Sequence, residues 1–519
     1  MKSKLLSQLG QPFVYFPKYS AGIFSLVFAL VAIIYNYHEI LFLPPQSIHL
    51  WRQCDCLSQA MNYFQDGNSF LMPALHNLGD DGTGRAVSDF PLIYYLTAKI
   101  WQITGPSESV LRILNLSIFT SALFMLFKTI ERMLRDSYLA LFIVFLLFSS
   151  PFLAYYANNF LMDVPAFSLA LIGMCFFERF YFTSKQKHLY LFALFFALAG
   201  LLKISALLGF FAVLAFFALE VLGVKIRLNS KIFSKPLRQF IPFALVVAVQ
   251  LIWYTYVRHY NATYNSGLFL TQVIPIWTLS SEAIQFVMHH LSDQFRWNYF
   301  RPEIFYLILI FWMLYIFFAP RATRVLLFLN LLLPAGIVAF GLLFFALLAE
   351  HDYYLINALI IIPIIGLSFA LMLKKRLPVF YRSIVFRILL VIILVHSIDF
   401  ARRRIHQRYA ADSWQNKTYV NEKQVFRQLP DYFTDIGVKP DDRVISLPDP
   451  SVDVSLYMMN RKGWTNYNIQ NNSDKIREKI AMGAEYLIIS DSTLLEMPQM
   501  QPFLHNKIGQ VKHIHIFKL

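Results

Sequence analysis

Charge and cysteine are both scarce in this sequence. Only 15% of its 519 residues are Asp, Glu, Lys or Arg, far below the share in a soluble domain built round one core. Three cysteines, Cys54, Cys56 and Cys175, cannot build a disulfide framework, and the C-x-C pair is too closely spaced for an easy bridge. No Cys/His cluster has metal-ligand spacing, so no metal is expected. There is no Gly-rich phosphate fingerprint in the polar tail beyond about 401, and the chain has no internal repeat and no low-complexity tract. The formal charge is +15, yet no basic helix or zinc pattern accompanies it, which argues against a nucleic-acid partner.

What is present is apolar. Hydrophobic residues make up 57% and aromatics 17% of the chain, with a mean hydropathy of +0.50, the profile of an integral membrane protein. Runs of the required length lie near 21–43, 109–127, 138–154, 164–183, 189–201, 203–222, 239–257, 304–319, 325–349, 355–373 and 384–400, which predicts a polytopic helical bundle of about eleven spans. The first run is longer than a signal-peptide core and lacks a small-residue cleavage site, so it reads as a span. Lys203, just after Gly200, splits 189–222 into two short helices meeting at a membrane face.

Most Lys and Arg fall in one alternating set of segments: the N-terminus, 128–135, 185–187, 225–238, 321–324 and 374–387. The opposite set, before the tail, holds only Arg52, Arg85, Lys99, Arg112, Lys203, Arg258, Arg296 and Arg301. The positive-inside rule makes the first set cytoplasmic, with the N-terminus. Asp55, the 155–163 loop, Lys203, the 258–303 loop, His351 and the tail are then expected on the outer face.

The first outer segment, 44–108, is too long for a connector. Its pieces Cys56–Phe64 and Leu92–Ile103 are amphipathic and read as helices lying in the interface. The 258–303 loop is also long, and its Trp277, Trp297, Tyr299 and Phe300 argue against disorder. Composition turns polar near 401. A helix at 420–437, Arg443–Leu447 (RVISL), helices near 451–460 and 474–482, Glu485–Ser490 (EYLIIS) and an alternating strand at 511–518 predict a small α/β domain with a partly parallel sheet. The fold expected is thus mainly α: a transmembrane domain over 1–400 and an extracytoplasmic α/β domain over 401–519.

Several ionisable residues are expected on that outer face: Asp55 and Asp89 in the first loop, Asp163 at the mouth of the fourth span, Lys203 at a hairpin tip, and His351 with Asp352, Tyr353 and Tyr354 in a short loop. Each has an ordinary reading. Asp163 before Val164-Pro165 is capping chemistry, Lys203 can snorkel, and loop aromatics can form an interfacial belt. Their shared side favours a mouth for a substrate with a lipid tail, an anionic phosphate and a polar head. Carboxylates there would handle a hydroxyl or amine nucleophile, and cations would offset phosphate charge.

The run WRQCDCL (51–57), followed by NYFQDGNSF and VSDFPLIYYLTAKIW, resembles the first outer loop of GT-C superfamily glycosyltransferases, especially the branch of aminoarabinose lipid A transferases and protein O-mannosyltransferases. The resemblance continues through YYANNFLMDVPAF (155–167), AGLLKISALL (199–208) and EHDYYLINALIIIPIIG (350–366). It implies inverting transfer of a sugar from a polyprenyl-phosphate carrier to a glycan, lipid or protein acceptor at the outer face of a bacterial inner membrane, without a cofactor. In its terms Asp55 is the base and Asp163 orients the acceptor or nearby cations. Lys203, His351, Tyr353 and Tyr354 lie near the donor phosphate, and Gln53, Asp89, Tyr94 and Trp297 are candidates for the sugar or acceptor. One position departs from the pattern: where the aminoarabinose transferases carry Lys before Pro-Pro-Leu, this chain has Asp89-Phe90-Pro91-Leu92. Arg52, Arg85, Arg258, Arg296 or Arg301 must then supply the phosphate-pairing charge. The competing readings are a flippase or transporter, which would show inverted repeats and midplane charges, a surface-polysaccharide polymerase or ligase, and a scaffold acting through the tail.

Overall fold

The computed structural model describes residues 15–224, 231–269, 273–294, 298–320 and 323–519. The chain is mainly helical with one small sheet, and it divides into two compact units. One comprises Met1–Ile40, Asn115–Ile252 and Gln272–His406; the other Leu41–Leu114, Trp253–Thr271 and Gln407–Leu519. Composition places a boundary near 400, whereas this division by packing assigns 41–114 and 253–271 to the same unit as the tail.

Among the described residues seven helices are long and apolar enough to cross a membrane: Ser109–Leu134, Asp163–Thr183, Ile204–Val221, Pro236–Thr263, Arg324–Leu343, Asp352–Arg376 and Ile384–Tyr409. The pair Ser137–Phe148 and Pro151–Ala157, bent by 79°, makes an eighth if taken as one span. The count of eleven is not confirmed. Ser20–Ile34, Gln186–Leu202 and Pro302–Phe318 are apolar but have only 15, 17 and 17 residues, short of the roughly 20 that cross a bilayer at 1.5 Å per residue. The first run stops early because Asn36 turns left-handed (φ 60), and the third is broken where Pro151 restarts the helix. The expected break at Lys203 is present: Gln186–Leu202 ends there, Lys203 is extended (φ −152), and a short 3-10 turn leads into Leu208–Val221.

Within the first unit close helix approach depends on small residues and on paired polar groups. A Cβ on Gly173 would meet the Phe196 ring at 2.7 Å. Asp136 caps the Ser137–Phe148 helix by accepting from the Leu139 N–H at 3.0 Å and pairs with buried Arg387 at 2.7 Å. Asn330 donates to Ser368 Oγ at 2.9 Å. Such pairing is what makes buried polar groups tolerable in an apolar bundle.

The second unit is built on a five-stranded sheet of order β2-β1-β3-β5-β4, with β1 Arg443–Leu447, β2 Gly463–Thr465, β3 Ala484–Ile489, β4 Lys507–Val511 and β5 Ile514–Lys518. β2, β1 and β3 are parallel, and β3, β5 and β4 antiparallel. The partly parallel sheet expected from the tail is therefore present. The final alternating stretch is a hairpin turning at Lys512 (φ 51), and the three-residue β2 was too short to read. Ile445, Leu447, Trp464, Leu487 and Ile489 fill one core with Leu78 from the first loop. The helices expected in that loop form as Leu50–Gln65 and Leu92–Thr104. The second buries Ile93, Tyr94, Thr97, Ala98 and Trp101, one face at helical spacing. The first is buried continuously from Gln53 to Ala60.

Candidate active site

In the second unit, helical spacing on Leu50–Gln65 sets Arg52, Asp55, Ser58, Gln59 and Asn62 on one polar face, since residues three and four apart are neighbours. Of these, Asp55, Ser58, Gln59 and Asn62 are buried, Asp55 at 7% exposure. Arg52 Nη1 approaches Asp55 Oδ2 at 3.7 Å, while Arg52 Nη2 forms a much closer pair with Asp89 Oδ2. Asp89 also accepts from the Tyr94 hydroxyl at 3.3 Å, and that hydroxyl lies 3.3 Å from Cys56 Sγ. Arg52 further donates to Ser88 Oγ at 3.2 Å and stands over the Phe269 ring at 5.3 Å. The other Asp55 oxygen, Oδ1, is buried without a hydrogen-bond partner. Burial pushes the Asp55 carboxyl up to about 7 against the pull of Arg52, and the charges of Asp89 and Asp449 add to the rise. A carboxyl raised in this way, with one oxygen engaged and the other without a hydrogen-bond partner, can exchange a proton near neutral pH.

A second carboxyl belongs to the same setting and was missed by reading the sequence. Asp453 precedes the Val454–Met458 helix, which packs against Leu50–Gln65. Its Oδ1 accepts from the Asn77 N–H at 2.8 Å, and its Oδ2 is buried and unpartnered. Burial, then the charge of Asp55, pushes it up to about 8. The Gln59 amide is also fully buried with both polar atoms unpartnered. Close by, His76 Nδ1 lies 2.8 Å from Ser58 Oγ and its Nε2 3.3 Å from Asn460 Oδ1; burial lowers it to about 4, so the ring is neutral. The signal for Gln59 was its place four residues after Asp55. For Asp453 the acid–hydroxyl run Asp449, Ser451, Asp453, Ser455 was the only hint, read simply as helix. Asp449 is fully employed, accepting from Ser451 N, Ser451 Oγ and Ser455 N at 3.0, 2.6 and 2.8 Å.

Other candidates in this unit make contacts of their own. Gln53 is 1% exposed and its amide nitrogen donates to the Gln46 and Ile48 carbonyls at 2.7 and 2.9 Å, a tie that fixes the chain entering the helix. Arg85 stacks on Tyr264 at 4.7 Å. Arg258 is exposed on the Pro236–Thr263 helix.

The first unit carries its own cluster. Lys203 Nζ lies 3.7 Å from Asp163 Oδ2 and 5.8 Å above the Tyr353 ring. Tyr353 OH is 3.2 Å from His351 Nδ1, and the His351 ring lies 5.0 Å from Tyr354. Tyr156 donates to Asp352, and Tyr299 OH to the Asp352 carbonyl at 3.4 Å. Asp163, Lys203, His351 and Tyr353 are thus brought together from three separated segments. Asp163 begins its helix and is the acid of its first turn. Arg301 pairs with Glu303 at 2.9 Å. Arg296 and Trp297 lie outside the described residues.

No protein-family model matches the chain, and no curated protein matches it by sequence. Its fold, however, is that of solved glycosyltransferases. ArnT from Cupriavidus metallidurans, in the apo state, superposes with a TM-score of 0.63 at 11% identity, over 96% of this chain and 98% of that one. The same protein bound to undecaprenyl phosphate gives 0.62 at 12% identity, over the same shares. The archaeal oligosaccharyltransferase AglB from Archaeoglobus fulgidus, in complex with an inhibitory peptide and a dolichol phosphate, gives 0.53 at 11% identity over 90% of this chain and 69% of that one. The fold implied by the GT-C resemblance is the fold of this chain.

Proposed function

We propose that the chain is a glycosyltransferase that moves a sugar from a polyprenyl-phosphate carrier to a hydroxyl or amine acceptor, with inversion and with Asp55 as general base. The observation that carries this reading is the Asp55 carboxyl itself: buried, raised to about 7, engaged by Arg52 through Oδ2 and open at Oδ1. An inverting displacement needs one base opposite the leaving group, where a retaining double displacement needs a nucleophile as well. The leaving phosphate needs cations more than a general acid, and Lys203, with His351 and Tyr353 beside it, is assigned that pairing role. Asp163 positions Lys203 through their contact at 3.7 Å. Solved structures of the same fold contain undecaprenyl phosphate and dolichol phosphate, which supports the donor class. The charge bias of the loops supports a bacterial inner membrane protein with its chemistry on the outer face and its N-terminus in the cytoplasm.

The test is transfer by the purified full-length protein carrying Asp55→Asn. Turnover should fall by roughly 10²–10⁴, the usual contribution of a general base, with polyprenyl-phosphate binding retained. Near-normal turnover would remove Asp55 from the role of base.

A further inference from the structure

The Asp352–Arg376 segment joins two chemically different ends of the first unit. At its start stand His351, Asp352 and Tyr353. At its far end a cavity of about 320 Å³ opens among the Ser109–Leu134, Asp163–Thr183, Arg324–Leu343 and Asp352–Arg376 helices. Its walls are apolar, represented by Leu126, Leu171, Leu329 and Leu367, and its rim carries Lys374, Lys375 and Arg382. Lys374 is engaged: it donates to the Leu134 carbonyl at 2.6 Å and stands 5.8 Å from the Tyr381 ring. Lys375 and Arg382 are exposed, and among the described residues neither is in an ion pair. One carboxylate also reaches the lining, Glu178, and its charge is taken by Arg132. The site therefore presents an uncompensated positive rim over an apolar shaft.

We propose that this cavity holds a chain of an anionic glycerophospholipid, with the phosphodiester headgroup at Lys375 and Arg382. The occupant follows from charge and place. An apolar shaft takes hydrocarbon, a rim of exposed cations next to a bilayer attracts anionic headgroups at about 1 kcal/mol per residue, and these cations belong to the basic segments that face one leaflet. It is not the carrier site of the proposed reaction. The 25-residue Asp352–Arg376 segment spans on the order of 40 Å at helical rise, so one phosphate cannot sit both here and beside Lys203. The lipid site is independent of the transferase reading and stands or falls separately.

The test uses the full-length protein in a neutral detergent, with thermal unfolding and native mass spectrometry read after adding phosphatidylglycerol, phosphatidylcholine or undecaprenyl phosphate. Phosphatidylglycerol should raise Tm by several degrees through preferential binding to the folded state, and phosphatidylcholine should raise it much less. The Lys375→Glu/Arg382→Glu double variant, altered only at exposed positions, should keep the lipid-free Tm and lose the phosphatidylglycerol response. Leu367→Trp should lose the response by filling the shaft while leaving the rim intact. An equal response to phosphatidylcholine, a response that survives in both variants, or displacement of bound phosphatidylglycerol by equimolar undecaprenyl phosphate would overturn the proposal.

Discussion

Arg52 Nη1 lies 3.7 Å from Asp55 Oδ2, while Nη2 of the same guanidinium is held more closely by Asp89. One cation between two carboxylates can neutralise only one of them, and the geometry favours Asp89. Asp55 is left with partial compensation, and burial holds its carboxyl up at about 7. The position at which the chain departs from the aminoarabinose transferases, an acid in place of Lys, thus acts on Asp55 through a shared arginine.

Asp89→Asn should therefore free Arg52 for Asp55 and remove a like charge, two effects of the same sign. Both favour ionised Asp55, so the acid limb of the transfer profile should move down from about 7, by roughly one pH unit for a close charge. Transfer rates measured across pH 4.5 to 8.5 would show it. A limb that stays in place would mean that Asp89 does not tune the base.

Burying Asp55 as an anion costs stability, and the sign is testable. Its folded value, about 7, exceeds the unfolded value near 3.9, so the folded state holds the proton more tightly. The stabilisation from this group is complete below about pH 4 and is lost as pH rises through about 7. Asp55→Asn should therefore unfold like the native protein at pH 4 and be more stable at pH 8, by on the order of 1–4 kcal/mol. A substitution that removes transfer yet raises Tm at alkaline pH would separate a functional carboxyl from a structural one.

Lys203→Ala tests the phosphate role in the other unit. Losing a charge-assisted bond is worth about 1.5–3 kcal/mol, or roughly a tenfold to hundredfold loss of affinity for undecaprenyl phosphate. Titration by calorimetry reads it directly, and unchanged affinity would take Lys203 out of the phosphate site.

How far the sequence could be read depended on the range of the interaction. The helices at 50–65 and 92–104 and the strands at 443–447 and 484–489 were legible because their patterns repeat locally. Asp55 stood out as a lone acid beside an apolar run, and the break at Lys203 followed from a charge inside one. The lengths of the helices were less legible, since hydropathy does not register the turn at Asn36 or the restart at Pro151. Asp453 was hidden for a different reason: its meaning comes from the Asn77 N–H and from Asp55, hundreds of positions away, and no local pattern carries that.

Gly463 is a backbone requirement of the sheet. A Cβ there would sit 1.8 Å from the Val444 carbonyl oxygen, which no rotamer change relieves because the obstacle is backbone. Gly463→Ala should push β2 off β1 and cost about 3 kcal/mol or more, seen as a fall in Tm and earlier proteolysis within 443–489. Native-like stability would mean that β2 can shift without loss.

Asp453 does two jobs that substitution can separate. Its Oδ1 holds the Asn77 N–H at 2.8 Å, and an amide oxygen can do the same, so Asp453→Asn should fold normally. Asp453→Ala leaves a buried N–H unsatisfied and should cost about 1–3 kcal/mol. The charge behaves differently. With a folded value of about 8, Asp453 is largely neutral at pH 7, and Asp453→Asn should leave transfer at that pH within roughly twofold of the native rate. Above pH 8 the native protein gains a second negative charge beside Asp55 and the variant does not, so their rate profiles should diverge only on the alkaline side. Divergence below pH 7 instead would mean that Asp453 is ionised when the base works, and that the two carboxyls share their proton in the opposite order.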